Sequence, residues 1–360
     1  MSKLRIGIIG TGGIANMHHL CYEANEDAEV VAGCDIVPGK AKAFFKNRGC
    51  PDAKSFDSME AMFKAVELDA VSVCTYNTTH AECTIASLQR GLPVLLEKPM
   101  CVTMDEARAI TAAEKKSGKF VTVGFQPRYD PNMQLIKKIV SSGELGNVYY
   151  VQIGGGRRRG MPGGSFVDKN KAGVGVLADI GCYAIDMVLF ALGYPKPLTV
   201  SAMTADFLGK SKKINPDFYK KFTVDDFSAA FIRLEGGLTV DFRTSWAMHM
   251  DTTGSTIFLG SEKGLKISPT EGLWGGAWDG SCTGITLFHD SFGLPTGTPM
   301  PLAEPEDWTF NFKRKINGFV EAVKSGGPAP IPTSEIIYNQ AIIDGIIRSS
   351  AQGCEVKCDL

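Results

Sequence analysis

The hydrophobic pattern of the chain changes near Gly124. Before this residue, short apolar runs rich in β-branched residues alternate with helical patterns, which is typical of βαβ units around a parallel sheet. The runs are continuously apolar, as expected for strands that helices cover on both faces. The helix before the last strand opens with a predicted capping box, Thr103 to Glu106, and ends at Gly118. The predicted strands span residues 4–9, 29–34, 70–75, 94–96 and 120–123.

Beyond Gly124 the pattern predicts helices together with longer strands. Strands 227–235 and 238–246 meet at Gly236-Gly237, where two positive φ angles favour a hairpin. We therefore expect a doubly wound, parallel α/β domain over residues 1–124, and over 125–360 an α+β domain on an open, mainly antiparallel sheet. The predicted helices of this second part lie near residues 131–142, 178–192, 308–325 and 334–351.

Length and composition fit two globular domains. The 360 residues exceed one ordinary domain of about 150 residues, and a composition of 44% hydrophobic and 21% charged residues suffices for buried cores. The 38 Lys plus Arg nearly balance the 39 Asp plus Glu. No overall field therefore attracts nucleic acid or an anionic membrane, and we expect neither as a partner.

The N-terminus and the cysteines indicate a soluble, cytoplasmic protein. The first apolar run ends at Gly10, too early for a secretory signal, and no run is expected to reach the roughly 18 to 20 residues that span a bilayer. The ten cysteines are scattered through apolar segments, which favours reduced, buried thiols over disulfides. Cys354 and Cys358, the closest pair, lack metal-ligand spacing and a partner cluster, so no metal site is expected.

A glycine-rich segment follows the first predicted strand directly and opens a helix. This is the context in which G-x-G-x-x-[G/A] indicates dinucleotide binding. Gly10 permits a tight turn, Gly12 a close approach of the backbone to pyrophosphate, and Ala15 close packing of helix on strand. The pyrophosphate would lie at the helix N-terminus, where free N–H groups favour anions, so residues 1–124 are predicted to form a dinucleotide-binding Rossmann domain. The segment consists of Gly10, Thr11, Gly12, Gly13, Ile14 and Ala15.

Asp35 strengthens this prediction and indicates which cofactor binds. It ends the second predicted strand, 20 residues after Ala15, where an acid accepts hydrogen bonds from adenosine ribose hydroxyls and repels a 2′-phosphate. Ile36 and Val37 follow, and neither is an arginine that would receive that phosphate. NAD is therefore expected in preference to NADP. A tight turn without ligand, next to a solvated aspartate, is the alternative explanation.

Polar residues also lie at the ends of the last three strands predicted within residues 1–124, or directly after them. In such folds ligands bind at this edge of the sheet. The amides of Asn77 and Gln126 both donate and accept hydrogen bonds, which suits a cofactor. For His80 a structural hydrogen bond is nearly as good an explanation. The candidate cofactor contacts at these strand ends are Thr75, Asn77, His80, Glu97, Lys98 and Gln126.

Three motifs together resemble the glucose-fructose oxidoreductase and inositol dehydrogenase (Gfo/Idh/MocA) family over nearly the whole chain. They are the glycine loop, Glu97-Lys98-Pro99, and segment 175–183, which reads Gly-Val-Leu-Ala-Asp-Ile-Gly-Cys-Tyr. The resemblance implies that Lys98 lies beside the nicotinamide and the substrate hydroxyl, positioned by Glu97 and Pro99. It also implies that Asp179 binds substrate and that residue 183 transfers a proton. Tyr183 stands where many members have histidine, so a histidine base is not expected.

Moving a hydride from a carbinol carbon to NAD⁺ requires a group that holds the hydroxyl oxygen and accepts its proton. The ordinary pKa values of lysine, about 10.4, and tyrosine, about 10, are too high for an efficient base at neutral pH. The two titrations would be coupled, so the sequence does not name one base. The hypothesis is that Lys98 and Tyr183 share proton transfer, while Asp179, one helical turn before Tyr183, holds a neighbouring hydroxyl. Helix capping by Asp179 and core packing by Tyr183 are the structural alternatives.

The glycine-rich tract 154–164 carries three consecutive arginines. Its simplest explanation is an exposed basic loop. The functional hypothesis is that Arg157 or Arg158 holds phosphate or sugar oxygens, because the arginine fork suits oxyanions. Trp246 is aromatic enough to stack on a sugar, but packing in the sheet is the favoured interpretation.

The resemblance implies an enzyme that transfers a hydride between a sugar or polyol hydroxyl carbon and NAD. It also implies a homodimer or homotetramer that associates through the C-terminal sheet. Two alternatives stay open. Some similar proteins oxidise a sugar hydroxyl transiently so that a glycosidic bond breaks while NAD is recycled. A non-catalytic NAD-binding sensor would not need Lys98, Asp179 and Tyr183 together.

Overall fold

Each of two structural units is built from two separate stretches of the chain. The computed structural model describes residues 2–251, 253–270, 282–303, 307 and 309–360. The first unit contains Met1–Gln126 and Asp307–Ile337, and the second contains Pro127–Glu306 and Tyr338–Leu360. The chain therefore returns to the first unit after most of the second is complete.

Strands and helices alternate in the first third of the chain, and strands dominate later. Among the described residues the helices are α1 (Gly13–Glu23), α2 (Lys40–Asn47), α3 (Met59–Ala65), α4 (His80–Gln89), α5 (Met104–Ser117), α6 (Pro131–Ser141), α7 (Lys169–Ala172), α8 (Cys182–Leu192), α9 (Phe310–Ser325) and α10 (Thr333–Gln352). The strands are β1 (Leu4–Ile9), β2 (Ala28–Cys34), β3 (Lys54–Phe56), β4 (Ala70–Val73), β5 (Val94–Leu96), β6 (Val121–Val123), β7 (Val148–Gly156), β8 (Pro197–Ala205), β9 (Phe227–Leu234), β10 (Thr239–Ser245), β11 (Thr256–Gly260), β12 (Gly264–Ser268), β13 (Gly284–Ser291), β14 (Leu294–Met300) and β15 (Val356–Lys357).

The first unit contains a six-stranded parallel sheet with the order β3-β2-β1-β4-β5-β6. All residues of β4, β5 and β6 are buried, which explains their continuously apolar sequences. The five predicted strands are confirmed. β3 was not predicted, because Lys54-Ser55-Phe56 offers a single apolar residue. The strand order reverses between β1 and β4, and in such sheets ligands bind beyond the carboxyl ends of the strands at this point.

The predicted start and end of α5 are also confirmed. The Glu106 N–H donates to Thr103 Oγ1 at 3.2 Å, and the Thr103 N–H donates back to Glu106 Oε2 at 2.9 Å. Gly118 closes the helix with a φ of +65°, a conformation that glycine adopts without steric cost. Local sequence therefore determines both ends of this helix.

The first unit does not stop at the expected boundary between residues 124 and 125, because it also contains Asp307–Ile337. Ile316, Phe319 and Val320 of α9 lie in one buried cluster with Ile6 and Leu95 of the parallel sheet. The segment after α9 then bonds to the edge of the sheet, where the Val123 N–H donates to the Ile331 carbonyl at 3.0 Å. α9 covers apolar surface that the first 126 residues leave open. The change of pattern at Gly124 did not indicate that a later helix returns to the first unit. Trp308, where the helix was expected to begin, lies outside the described residues.

The second unit contains a nine-stranded sheet with the order β14-β13-β12-β11-β7-β10-β9-β8-β15. Only β7 and β10 pair in parallel among the strands described, so the expectation of a mainly antiparallel sheet is confirmed. The predicted hairpin joins β9 to β10, with φ angles of +80° at Gly236 and +79° at Gly237. The predicted helices at 131–142 and 334–351 correspond to α6 and α10.

The helix predicted over residues 178–192 begins with a π-helical turn, Leu177–Gly181, which continues into α8. Within Lys169–Leu192, a window of 18 residues has a mean hydropathy of 1.8, so by length and composition alone this segment could cross a membrane. The expectation that no run reaches this length was therefore wrong. Within the structure 89% of this apolar window is buried, so protein rather than lipid accounts for its composition.

We predict that Phe319→Ala strongly destabilises the first unit. Phe319 is fully buried in the cluster that α9 completes, and removing a buried phenyl ring costs about 3–5 kcal/mol. Urea unfolding followed by circular dichroism measures the change. Phe207→Ala is the control because Phe207 is 78% exposed, and its expected effect stays within about 0.5 kcal/mol. Equal effects of the two substitutions would contradict a core role for α9.

Candidate active site

The glycine-rich turn between β1 and α1 has the geometry of an anion-binding loop. Gly10 has a φ of +87°, and a Cβ there would lie 2.8 Å from the Cys74 carbonyl oxygen, so glycine alone fits this turn. A Cβ on Gly12 or Gly13 would meet no atom within 4 Å, so the loop borders open space. The N-cap residue of α1 is Gly12, which has no side chain to accept hydrogen bonds from the first N–H groups of the helix. Such N–H groups bind phosphate at a helix N-terminus.

Asp35 connects the end of β2 to this loop. Its Oδ2 accepts from the Thr11 N–H at 2.9 Å and the Thr11 hydroxyl at 3.0 Å, and lies 2.8 Å from Lys40 Nζ. Its Oδ1 accepts from the Val37 N–H at 3.0 Å. Burial raises the pKa of Asp35, but the bonds from Lys40, Val37 and Thr11 outweigh it and hold the pKa below its usual value. A charged carboxylate is therefore fixed beside the glycine loop.

Lys98 is the single partly exposed residue in a buried run. Every other residue from Leu92 to Cys101 is buried. The Glu97 N–H donates to the Val73 carbonyl at 3.0 Å, and the Pro99 carbonyl oxygen lies 2.7 Å from His80 Nδ1. The backbone on both sides of Lys98 is therefore held, while its side chain has access to the surface of the unit.

The side chain of Glu97 lies inside the first unit. Its Oε1 accepts a hydrogen bond from Lys315 Nζ of α9 and lies 2.7 Å from His18 Nε2 of α1. Burial raises the pKa of Glu97, yet the charge of Lys315 and the bond from His18 outweigh it and lower the pKa well below its usual value. Burial, together with Lys315, lowers the pKa of His18. Glu97 is thus a buried carboxylate held by two other buried side chains.

The remaining cofactor candidates divide into two groups. Thr75, Asn77 and Gln126 follow β4 and β6 and are partly exposed at the same sheet edge as Lys98. His80 is buried, and burial lowers its pKa despite the bond to the Pro99 carbonyl. The structure therefore presents three of these side chains at the edge, whereas those of Glu97 and His80 face the interior.

In the second unit the sequence motif at 175–183 forms another buried run with two interruptions. From Val174 to Ala191 every residue is buried except Asp179 and Tyr183. Asp179 lies within the π-helical turn, and Tyr183 lies in the first turn of α8. Single-turn π-helices occur frequently at functional sites. The motif therefore presents one carboxylate and one phenol from a buried run, whereas the buried Asp186 of the same helix is paired with Arg128.

Asp179 lies close to two further polar side chains of the second unit. The indole Nε1–H of the fully buried Trp246 donates to Asp179 Oδ2 at 2.8 Å. Arg157 is buried, which lowers its pKa, while the negative charge of Asp179 acts in the opposite direction. Arg158 and Arg159 are exposed. Of the three consecutive arginines, Arg157 is therefore the one associated with Asp179.

Asp225 holds the turn that precedes Asp179. Its carboxylate accepts from the Gly175 N–H at 2.7 Å and the Leu177 N–H at 3.0 Å. A Cβ on Gly175 would lie 2.0 Å from the Asp225 carbonyl oxygen, so glycine is required at this contact. The start of the π-helical turn is thus anchored to the segment that leads into β9.

One group of potential metal ligands lies apart from these residues. Ligand atoms of His19, Glu23 and Cys50 fall within 4.8 Å of one another among the described residues. Burial, together with the positive charge of Arg48, lowers the pKa of His19. A positive charge beside the group disfavours a cation, and the group does not contribute to the site.

Sequence reasoning missed four residues that hold this chemistry in place. His18 did not enter the sequence analysis, and Trp246 was interpreted there as packing in the sheet. Asp225 and Lys315 were not singled out. Lys315 had a detectable signal, because it lies four residues before Phe319 and hence on the apolar face of α9. A charged residue at such a position needs a buried partner.

Comparisons with known proteins identify the family of the chain. Residues 4–125 match the family model described as an oxidoreductase family with an NAD-binding Rossmann fold, and residues 133–266 match the GFO/IDH/MocA C-terminal domain. The chain is 32% identical to D-glucoside 3-dehydrogenase of Escherichia coli (strain K12), over 74% of this chain and 78% of the relative. It is 30% identical to inositol 2-dehydrogenase of Rhizobium meliloti (strain 1021), over 58% and 60% of the two chains.

A solved structure shares the fold over the full length. The aldose-aldose oxidoreductase from Caulobacter crescentus, complexed with glycerol, superposes with a TM-score of 0.78 at 22% identity and covers 99% of each chain. Two matched family models, a full-length fold and a relative above 30% identity lead to one conclusion. The chain belongs to the Gfo/Idh/MocA family of oxidoreductases, with an NAD-binding Rossmann domain.

Proposed function

We propose that this protein transfers a hydride between a hydroxyl-bearing carbon of a sugar or polyol and NAD. The observation that carries the proposal is that Lys98, Asp179 and Tyr183 interrupt runs of residues that are otherwise buried. Partly exposed polar side chains that emerge from buried runs suit contact with a ligand, and Asp179 also accepts the hydrogen bond of the buried Trp246. Two relatives are named D-glucoside 3-dehydrogenase and inositol 2-dehydrogenase. These names indicate a sugar and a polyol as substrates, which supports the same substrate class here.

The residues of the first unit suit NAD. The N-terminus of α1 and the open space beside Gly12 and Gly13 suit the pyrophosphate. Asp35 is held as a charged acceptor for the adenosine ribose hydroxyls. When bound, NAD⁺ supplies the acceptor for the hydride. The proposed cofactor contacts are Gly10, Thr11, Gly12, Gly13, Ile14, Asp35, Thr75, Asn77, Lys98 and Gln126. His80 and Glu97 were expected among them, but their side chains are buried, so we assign them to support of the backbone around Lys98.

Proton transfer is assigned jointly to Lys98 and Tyr183. A carbinol that loses a hydride must also lose its hydroxyl proton, and a positioned side chain that accepts this proton contributes about 10²–10⁴-fold to the rate. In this proposal the two side chains share the proton of one substrate hydroxyl, and two groups that share a proton have coupled titrations.

Substrate orientation is assigned to Asp179 and Arg157. The bond from Trp246 occupies one side of Asp179 Oδ2, and a carboxylate has further acceptor capacity for a sugar hydroxyl. Arg157 supplies a rigid fork of donors beside the same carboxylate. Together they would hold hydroxyls that neighbour the reacting carbon.

We predict that the protein reduces NAD⁺ with a sugar or polyol and that Lys98→Met abolishes most of this activity. A panel of methyl β-D-glucopyranoside, D-glucose and myo-inositol, followed by NADH absorbance, identifies the substrate. Loss of the lysine should lower kcat by about 10²-fold or more. Lys64→Met, at an exposed lysine of α3, is the control and should retain full activity. An Lys98→Met rate within a few-fold of wild type would refute the assignment.

The same assay separates the proposal from its alternatives. Stoichiometric accumulation of free NADH with the oxidised product supports a dehydrogenase. Cleaved glycoside without free NADH would instead indicate transient oxidation with recycled NAD. Binding of NADH without turnover of any panel member would favour a sensor.

We propose that NAD is preferred over NADP and that Asp35 and Lys40 determine this preference. Asp35→Ala removes the charge that repels a 2′-phosphate and releases Lys40, whose Nζ lies 2.8 Å from Asp35 Oδ2. The ratio of kcat/KM for NADP⁺ to that for NAD⁺ should rise by about tenfold or more. The Asp35→Ala/Lys40→Ala double variant should lose much of that gain, and an unchanged ratio in the single variant would contradict the proposal.

We propose a cytoplasmic homodimer or homotetramer that associates through the sheet of the second unit. The ten cysteines all lie among the described residues and form no disulfide there, which suits a reducing compartment. Met203 of β8 and Phe231 of β9 are 51% and 42% exposed. Phe231 pairs with Ser201, two residues before Met203, so Met203 and Phe231 lie on the same face of that sheet. An exposed apolar sheet face of this kind favours association.

Replacing both residues by aspartate should shift the protein to a smaller species in light scattering after size exclusion. Phe207→Asp, at a residue that is 78% exposed, should leave the mass unchanged. A wild-type protein of monomeric mass would contradict the proposed association.

A further inference from the structure

Three titratable side chains from distant parts of the sequence form one buried cluster in the first unit. Glu97, Lys315 and His18 are 5%, 2% and 0% exposed. Lys315 Nζ donates to Glu97 Oε1, and His18 Nε2 lies 2.7 Å from the same oxygen and 3.2 Å from Lys315 Nζ. Burying three such groups has a large desolvation cost. General packing therefore does not explain their presence.

The cluster is neutral as a whole. A carboxylate only accepts hydrogen bonds, so His18 must carry its proton on Nε2 to bond to Glu97. His18 Nδ1 is buried without a hydrogen-bond partner among the described residues, and a second proton there would bury an unpaired N–H. Burial and Lys315 accordingly lower the pKa of His18. The negative charge of Glu97 is balanced by Lys315 alone.

We propose that Lys315 and His18 are positioning residues that act through Glu97 to hold Lys98 in its reactive position. The inference rests on the proposed function, in which Lys98 contacts the reacting hydroxyl. Glu97 is the residue directly before Lys98, so anchoring its side chain restrains the backbone that carries the lysine. Lys315 and His18, both buried, hold one carboxylate oxygen of Glu97 and provide that anchor.

The other side of Lys98 is held independently. The Pro99 carbonyl accepts a hydrogen bond from His80 Nδ1 at 2.7 Å. Gly124 lies over the Glu97 carboxylate, since a Cβ there would be 2.9 Å from Glu97 Oε1. Lys98 thus lies between two segments that are fixed by buried side chains, and the carboxylate has no room to move toward β6.

Two other titratable groups face Glu97. Burial, and then the charge of Glu97, raise the pKa of Cys74 at the end of β4. Burial lowers the pKa of His80 at the start of α4, with Glu97 opposing and Lys98 reinforcing that change. Neither supplies a positive charge to Glu97, so Lys315 is its counter-charge.

Lys315→Met tests the role of the counter-charge. Without Lys315 the pKa values of both Glu97 and His18 rise, because Lys315 lowers both. Glu97 and His18 then remain, and they become neutral together by binding one proton. They lose this proton as the pH rises through a pKa that belongs to the pair. We expect kcat with NAD⁺ and methyl β-D-glucopyranoside to fall by about 10²-fold near neutral pH, because small displacements of a reactive group have effects of this size. As the pH is lowered, the kcat of Lys315→Met should approach that of wild type, whose own pH profile lacks this dependence.

Three comparisons separate positioning from folding. The Kd for NADH, measured by fluorescence, should change by less than about threefold in Lys315→Met. Lys315→Arg restores the charge and should recover part of kcat. Glu97→Gln/Lys315→Met removes both charges, leaves no unpaired charge to prevent folding, and should give an intermediate kcat without the added pH dependence.

Lys324→Met is the matched control on the same helix. Lys324 makes a surface ion pair with Asp27 at 2.7 Å, and its loss should leave kcat and the pH profile unchanged. The inference is overturned if Lys315→Met has the wild-type kcat and pH profile while Lys98→Met is inactive. If Lys98→Met itself is active, the proposed function fails instead. A double variant with a wild-type kcat would also overturn the inference.

Discussion

A buried carboxylate imposes the strictest constraint on the first unit. Glu97 directly follows β5, a strand that is buried at every residue, and is itself only 5% exposed, so its charge has little access to water. An unpaired charge at this position would cost several kcal/mol. Lys315, more than 200 residues later in the sequence, supplies the compensating charge. The return of α9 to the parallel sheet is therefore an electrostatic requirement as well as a hydrophobic one, since Phe319 on the same helix fills the core beside it.

Each unit presents its candidate catalytic groups in the same manner. A run of buried residues fixes the backbone, and one or two polar side chains reach the surface from it. Lys98 does so in the first unit, and Asp179 and Tyr183 do so in the second. A buried backbone restricts the rotamers and the position of such a side chain, which is the arrangement that preorganised catalysis requires. The π-helical turn at Asp179 adds to this, because its start is bonded to Asp225.

Asp35 shows how one carboxylate serves structure and recognition together. Its hydrogen bonds from Thr11 fix the glycine loop, and its charge faces the position of the adenosine ribose in folds of this kind. Lys40 partly neutralises that charge from the first turn of α2. The proposed preference for NAD therefore depends on the balance between an acid that the motif requires and a lysine that the motif does not include.

The sequence alone determined the elements whose causes are local. Apolar runs placed β1, β4 and β5, Thr103 and Glu106 placed the start of α5, and Gly236-Gly237 placed a hairpin. The glycine loop, Asp35 and Lys98 were likewise recognisable, because turns and strand ends have short-range signatures. The tertiary structure decided the return of α9, the joining of His18 and Lys315 to Glu97, and the bond from Trp246 to Asp179. These contacts join residues that are far apart in the chain, and no local pattern encodes which buried charge meets which partner.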